Sequence, residues 1–251
     1  MPVLDTSSPR ITIVIPTYDE AENITLLLEK IFSLPLSLSV IVVDDHSPDG
    51  TGAIVRSFAQ RFPLQLIARP RKLGLGSAYR AGFQKALEDG ADFVMEMDAD
   101  FSHDPVLIPQ FIQTIRAGAD VVIGSRRIPG GSITDWSLRR RFASASAIWL
   151  SRLVLRLKTQ DITSGFRCFR AEVVRFLLAR GIQSDGYAFQ EETLYLIERR
   201  GFRVREIPIV FRDRRRGKSK LSRKEILAFF ATLFRLRIQA FRDRRPIAGR
   251  V

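Results

Sequence analysis

The chain has 251 residues, 45% of them hydrophobic, with a single cysteine and a formal net charge of +13. That size supports one sizeable core, or one domain with an appendage, and no stretch of about eighteen apolar residues is present to span a bilayer. Cys168 alone excludes an internal disulfide, and the first ten residues lack the apolar h-region of a secretory signal, so a reducing, cytoplasmic setting is expected.

Ile11 to Ile15 is a β-branched run ended by Pro16, the pattern of a buried strand. Ile24, Leu27, Leu28 and Ile31 recur at helical spacing and predict a helix over 20–32. A second apolar run over 39–43 ends at Asp44-Asp45. Helix is expected over 51–62, strand over 64–68 and, after the Gly74/Gly76 turn, helix over 77–87. Strand 93–97, broken only by Glu96, runs out into Asp98; helix 105–117 then leads to strand 120–123. This alternation predicts an α/β fold with a mainly parallel sheet and helices on both faces. Ligands of such sheets collect at the carboxyl ends of strands. Pro16-Thr17-Tyr18, Asp44-Asp45 and Asp98-Ala99-Asp100 all fall at such ends, so three polar clusters are expected on one rim.

The second half is less regular. Residues 124–137 are loop-rich, 142–157 form an apolar helix carrying Arg152 and Arg156, and 161–170 read as a loop entering a short strand. Helices are expected over 172–179 and 190–200, and an edge strand over 203–211, which alternates and contains Pro208. The charge collects at this end: residues 199–251 hold 18 of the 40 Lys/Arg and 4 of the 27 Asp/Glu, leaving 22 bases and 23 acids before them. Such a segment draws phosphates, whether of nucleic acid, an anionic membrane or a phosphorylated substrate. Segment 226–241 is apolar but interrupted by Arg235 and Arg237, and reads either as a helix lying in a membrane interface or as a core or dimer helix. The division expected is one catalytic domain over 1–221 and a basic amphipathic extension over 222–251.

Asp98-Ala99-Asp100 is the most informative motif. Two carboxylates one residue apart, where a buried strand becomes a loop, suit Mg2+ or Mn2+ shared with a phosphate, because these cations take oxygen ligands and keep positions open for substrate. Taken alone, the same residues make a capped turn. The cationic side is supplied by Arg126, after strand 120–123, and by Arg214, Arg215, Arg216, Lys218 and Lys220, since guanidinium groups bind phosphate through paired hydrogen bonds. Asp45 at a strand end suits a base or a ribose hydroxyl. A dinucleotide site would need G-x-G-x-x-G after the first strand, and Pro16-Thr17-Tyr18-Asp19-Glu20 stands there instead.

Five segments then occur in one order: Ile15-Pro16-Thr17-Tyr18-Asp19-Glu20-Ala21-Glu22-Asn23, Asp44-Asp45-His46-Ser47-Pro48-Asp49-Gly50-Thr51, Leu73-Gly74-Leu75-Gly76-Ser77-Ala78-Tyr79, Met97-Asp98-Ala99-Asp100-Phe101-Ser102-His103 and Gly217-Lys218-Ser219-Lys220-Leu221. Together they resemble the polyprenol-phosphate (dolichol-phosphate) mannose synthases, GT-A fold glycosyltransferases of family 2, in a form without transmembrane helices. The resemblance covers about residues 11–225. It implies an enzyme, a dolichyl-phosphate β-D-mannosyltransferase, that moves mannose from GDP-mannose to a polyprenyl or dolichyl phosphate. It further implies that Pro16, Tyr18, Glu20, Val43 and Asp45 line the guanosine pocket. Asp98 and Asp100 would hold the metal, with Ala99 giving main-chain contact. Ser102 falls where some members use Gln as a further metal contact. Arg126 would meet the donor, and Arg214 and Lys220 would close on its phosphates. Arg139 or Arg140 would approach the acceptor phosphate, beside the loop that holds Ser164 and Arg167. Gln190 and Glu192 match a Gln-x-Glu pair. His46 stands where Gly is usual, and Lys218 is more basic than in common members.

An ionised acceptor phosphate attacks without a general base, so the expected work is electrostatic, through Asp100, Arg126, Arg214 and Lys220. Single in-line displacement predicts inversion, from α-linked donor to β-linked product. The rival donor is UDP-glucose. Nucleic-acid binding is not expected, because 212–220 lacks interleaved aromatics and no recognition-helix motif appears. Intact D-x-D speaks against a non-catalytic membrane adaptor. The lipid acceptor is to be met peripherally, on the cytoplasmic face of a membrane, by the C-terminal helix or through a separate membrane-anchoring subunit.

Overall fold

In the computed structural model, which describes residues 9–212 and 223–242, the alternation is present. The first half runs β1 (Ile11–Thr17), α1 (Ala21–Phe32), β2 (Leu38–Asp44), α2 (Thr51–Ala59), β3 (Leu64–Ala68), α3 (Leu75–Glu88), β4 (Phe93–Glu96), a 3-10 turn (Pro105–Leu107), α4 (Ile108–Arg116) and β5 (Val121–Ser125). The second adds β6 (Ser132–Ile133), α5 (Leu138–Leu155), β7 (Arg167–Arg170), α6 (Ala171–Arg180), α7 (Gly186–Arg200), β8 (Val204–Pro208), β9 (Val210–Phe211) and α8 (Arg223–Arg242). The main sheet has the order β3-β2-β1-β4-β7-β5-β8. Its strands pair in parallel except β7, which lies antiparallel between β4 and β5. β6 and β9 form a separate ribbon.

The central strands are apolar on both faces because helices cover both. Alternate residues feed opposite cores: Ile13, Ile15, Val40, Val42 and Met95 on one side, and Val14, Ile41, Val43 and Val94 on the other. α3 approaches β1 so closely that a Cβ on Gly82 would fall 2.2 Å from a Val14 methyl.

Pro16 does not end β1 as expected. Thr17 turns its carbonyl to the Asp45 amide on the β2 side, and Val14 turns its own to the Met97 amide on the β4 side. Alternation therefore aims the Pro16 nitrogen toward β4, where pairing stops at Val14 and Glu96. The missing N–H breaks no ladder bond, and pairing with β2 continues to Thr17.

Of the expected extension over 222–251, the structure describes residues 223–242, which form α8 and pack on the domain. In its described part, Phe229, Leu233 and Leu236 lie in the same core cluster as Tyr79, Phe189 and Tyr195, and the helix packs on α7 and α5. Arg235 pins it by donating to Gln183 Oε1 (2.7 Å), Ser184 Oγ (2.8 Å) and Glu192 Oε2 (2.9 Å). Within segment 226–241, α8 buries Phe229, Leu233 and Leu236 and leaves Phe234 and Ile238 exposed. Leu233→Ala should therefore lower unfolding free energy by about 2–5 kcal/mol in chemical denaturation. A loss under about 0.5 kcal/mol is what a helix merely lying on the surface would give.

Candidate active site

The parallel register builds the rim. β1 pairs Pro16 with Val43 and Thr17 with Asp44, and β4 leaves the sheet two residues beyond Glu96 at Asp98. The three polar clusters therefore lie at neighbouring strand ends.

On the β1/β2 side, the acidic motif knits loops together. Asp44 accepts from the Thr17 hydroxyl (2.8 Å) and from the Ser47 amide (3.0 Å) and hydroxyl (2.5 Å). Asp49 accepts the Thr51 amide at the start of α2 (3.0 Å) and the Ala21 amide at the start of α1 (2.9 Å). Asp49 is held below the usual carboxylate range; burial works against this, and hydrogen bonds from Thr51 and Ala21 outweigh it. Asp45 pairs with Arg69 and accepts the Leu73 and Gly74 amides (3.2 Å each). These contacts tie the segment after β3 to the rim. Val43 is fully buried, so it can offer only backbone. Pro16, Tyr18 and Glu20 remain half-buried on the rim, with the Lys72 ammonium 3.8 Å from the Tyr18 ring centre.

The D-x-D pair is framed by groups that stay neutral. The Asp98 amide donates to His103 Nδ1 (3.2 Å), which puts the ring proton on Nε2. Burial pushes His103 down to about 4, with Asp100 opposing; its ring stacks on Phe166 at 5.0 Å. The buried Tyr79 phenol donates to Asp98 Oδ1 (3.4 Å), and burial, then the Asp98 charge, raise it well above its ordinary value. Asp100 accepts the Ser102 amide (3.0 Å), and Ala99 is buried between the two acids. The Ser102 hydroxyl is buried without a hydrogen-bond partner. Two carboxylates and an unsatisfied hydroxyl form an all-oxygen donor set, which fits a hard divalent cation. Among the described residues no group of three or more His, Cys, Asp or Glu is placed as a metal cage.

Behind Asp98 lies a buried lattice. Gln190 Nε2 donates to Glu96 (2.8 Å). Burial raises Glu96 to about 7 against the pull of Arg167. Arg167, expected at the acceptor phosphate, is fully buried and donates to the carbonyls of Ser164, Gln190 and Ile162 and to the Thr193 hydroxyl, at 2.8–3.1 Å. Ser164 is buried as well and accepts the Phe166 amide (3.3 Å). Both side chains support the 162–166 loop. Glu192 accepts the Ser184 amide (2.9 Å).

Arg126 is gripped by Asp161 through Nε (2.7 Å) and a terminal nitrogen (2.6 Å), and also reaches Thr163 (2.8 Å). Asp161 is held below the usual range by Arg126 in spite of its burial. Through these contacts Arg126 braces the loop beside His103. Its neighbour Arg127 faces a groove of about 720 Å³ lined also by Leu138, Arg139, Arg141 and Phe142. Arg127 donates to Ser144 (2.9 Å), and its buried Nε has no partner. Arg140 turns onto the Trp136 ring at 4.0 Å. A row of rings runs from the segment before α5 to the D-x-D pair: Trp136 meets Phe211 (5.9 Å), and Phe211 meets His103 (6.1 Å). Arg214, Lys218 and Lys220 lie outside the described residues. The residues missed from sequence are Tyr79, His103 and Arg127; the first two stand in the quoted motifs, and Arg127 is marked only by the Arg126-Arg127 doublet.

The profile described as Glycosyl transferase family 2 matches residues 12–178. The chain is 42% identical over 214 residues to an undecaprenyl-phosphate mannosyltransferase of Micrococcus luteus, spanning 85% of this chain and 88% of the relative. It is 40% identical over 219 residues to a polyprenol monophosphomannose synthase of Mycolicibacterium smegmatis, spanning 86% and 83%. A solved mannosyltransferase from Pyrobaculum calidifontis, in complex with GDP-Man and Mn2+, superposes with a TM-score of 0.65 over 96% of this chain and 66% of that one, at 20% identity, a likeness of fold.

Glu191 on α7 is a buried acid away from the rim. Burial raises it from 4.5 to about 7, partly offset by the Ser151 hydroxyl on α5. Because the folded value is the higher one, the unfolded chain releases this proton first as pH rises. Folding stability should fall between about pH 4.5 and 7 and then level off. Glu191→Gln should flatten that segment of a denaturation midpoint against pH; an unchanged slope would remove Glu191 as its source.

Proposed function

The chain belongs to glycosyl transferase family 2 and is a mannosyltransferase, and we propose that it transfers mannose from GDP-mannose to a polyprenyl phosphate, giving polyprenyl phosphate mannose. The observation that carries this reading is the pairing of an oxygen-donor rim at the end of β4 with an arginine-lined groove opening on Leu138 and Phe142. The rim suits a nucleotide diphosphate, and the groove suits a phosphate joined to a hydrocarbon. The mannosyl-lipid chemistry in the names of the two relatives at 40% and 42% identity supports the same pair of substrates.

In this reading Pro16, Tyr18 and Glu20 take the guanosine, within walls shaped by Asp45 and Arg69. Asp98, Asp100 and Ser102 would hold Mg2+ or Mn2+, which supplies positive charge to the departing diphosphate. Tyr79 and His103 fix the direction of Asp98 without adding charge of their own. Arg127, Arg139 and Arg141 hold the acceptor phosphate against the repulsion of the donor. A phosphate oxygen, already ionised near neutral pH, bonds to the anomeric carbon as its bond to the diphosphate breaks; the electron pair leaves on GDP. No general base is required, and the anomeric centre inverts from α to β. Arg214 and Lys220 would close on the donor phosphates. Among the described residues no helix is long and apolar enough to cross a membrane, and we place the enzyme peripherally on a cytoplasmic membrane face.

Asp100→Ala should lower mannosyl transfer by about 10²-fold or more, with circular dichroism unchanged. Chelation should stop the wild type, and added Mn2+ or Mg2+ should restore it. GDP-mannose should be turned over in preference to UDP-glucose; faster transfer from UDP-glucose would replace the donor assigned here.

A further inference from the structure

The nucleoside side of the rim carries a cation, Lys72, on a short span built to hold it there. β3 ends at Ala68, opposite Asp44 of β2, and the chain that follows is fastened at both ends. Arg69 pairs with Asp45 and donates to the Gly74 carbonyl (3.0 Å) and to the Ser77 hydroxyl. Asp45 in turn accepts the Leu73 and Gly74 amides. Between these anchors Pro70, Arg71 and Lys72 are exposed. From this crest the Lys72 ammonium reaches to 3.8 Å from the centre of the Tyr18 ring, just past the end of β1.

An exposed lysine is held only weakly on a ring face, and a ligand that offers it oxygen or nitrogen acceptors draws it away. Asp45, which fastens the same span, is matched by Arg69, so the wall does not need the second cation. Position decides what Lys72 meets. In the order β3-β2-β1-β4, the span with Lys72 leaves β3 and the D-x-D pair leaves β4, three strand spacings or about 14 Å away. A nucleotide whose diphosphate lies at D-x-D therefore brings its base, not its phosphates, to Lys72. The Tyr18 ring is a face on which a base can stack. An ammonium has three donors and no acceptor. Guanine presents two acceptors side by side, O6 and N7, whereas adenine has an amino donor in place of O6.

We propose that Lys72 determines specificity for the base: as guanine covers the Tyr18 ring, the ammonium moves from the ring face to the O6/N7 edge and donates to both atoms. Adenine is rejected because its amino group meets the ammonium donor to donor. The proposal rests on the proposed function for its nucleotide, and it deepens that reading by naming the residue that reads the base.

The test is equilibrium binding of GDP, IDP and ADP by titration calorimetry, with Mn2+ present and no acceptor. It uses the full chain, Lys72→Met and, as a neighbouring exposed cation, Arg71→Met. Wild type should bind GDP at least about tenfold more tightly than ADP. Lys72→Met should lose about tenfold or more on GDP and by the same factor on IDP, which keeps O6 and N7, while ADP binding stays within about twofold. Arg71→Met should keep the wild-type ratio of GDP to ADP affinity. A Lys72→Met protein with that same ratio would overturn the assignment. So would an equal loss on all three diphosphates, which would move the ammonium to the phosphates, and so would a wild type that binds GDP and ADP alike. Binding is read without transfer, so a chain that shows the Lys72-dependent preference yet moves no mannose from GDP-mannose would count against the proposed reaction and not against this residue.

Discussion

In the proposed reaction two anionic reactants repel each other, and the charges at the carboxyl rim of this sheet answer that repulsion. The donor side supplies acid: Asp98 and Asp100 are oxygen donors fit for a cation that the diphosphate shares. The acceptor side supplies base: Arg127, Arg139 and Arg141 line one groove. Between them stand groups that carry no charge, the Tyr79 phenol and the neutral His103 ring, with Phe166 and Phe211 packed on the latter. A charged histidine here would compete with the cation. Burial prevents this by pushing His103 down to about 4.

The other charges near the rim are internally satisfied, and that is what lets a few act. Arg126 is held by Asp161, Asp45 by Arg69, and Arg167 by a shell of carbonyls. Each pair ties down a loop. Removing one partner would leave the other buried and uncompensated, at about 3–5 kcal/mol. The acidic segment after β2 works in the same way, since Asp44 and Asp49 bind the starts of loops and helices. Motif residues that look like ligands in a string of letters are therefore, in good part, the frame that keeps the ligands in place.

The legible part of the fold was the repeating part. β-branched runs and helical spacing located β1 to β5 and their helices to within a few residues, and the strand-end position of D-x-D followed. Pairing partners were not legible. Nothing local to Arg167 or Arg126 tells that each is enclosed, because the carbonyls and the carboxylate that enclose them come from loops brought together by the fold. The antiparallel placement of β7 is equally non-local. The burial of the two apolar helices was not legible for a related reason. α5 and α8 both mix apolar residues with arginine, and composition does not say which face meets the core. α8 has Phe229, Leu233 and Leu236 on one side and is buried by them, whereas α5 has only a thin seam to bury.

The account turns on a division of labour between adjacent arginines: Arg126 braces a loop, and Arg127 meets the acceptor phosphate. Initial rates of Arg127→Gln, with donor and acceptor varied separately, test it most directly. Loss of a charge-assisted contact of about 1.5–3 kcal/mol should raise the acceptor KM by roughly ten- to a hundredfold and leave the donor KM unchanged. An unchanged acceptor KM, or a rise confined to the donor, would contradict it.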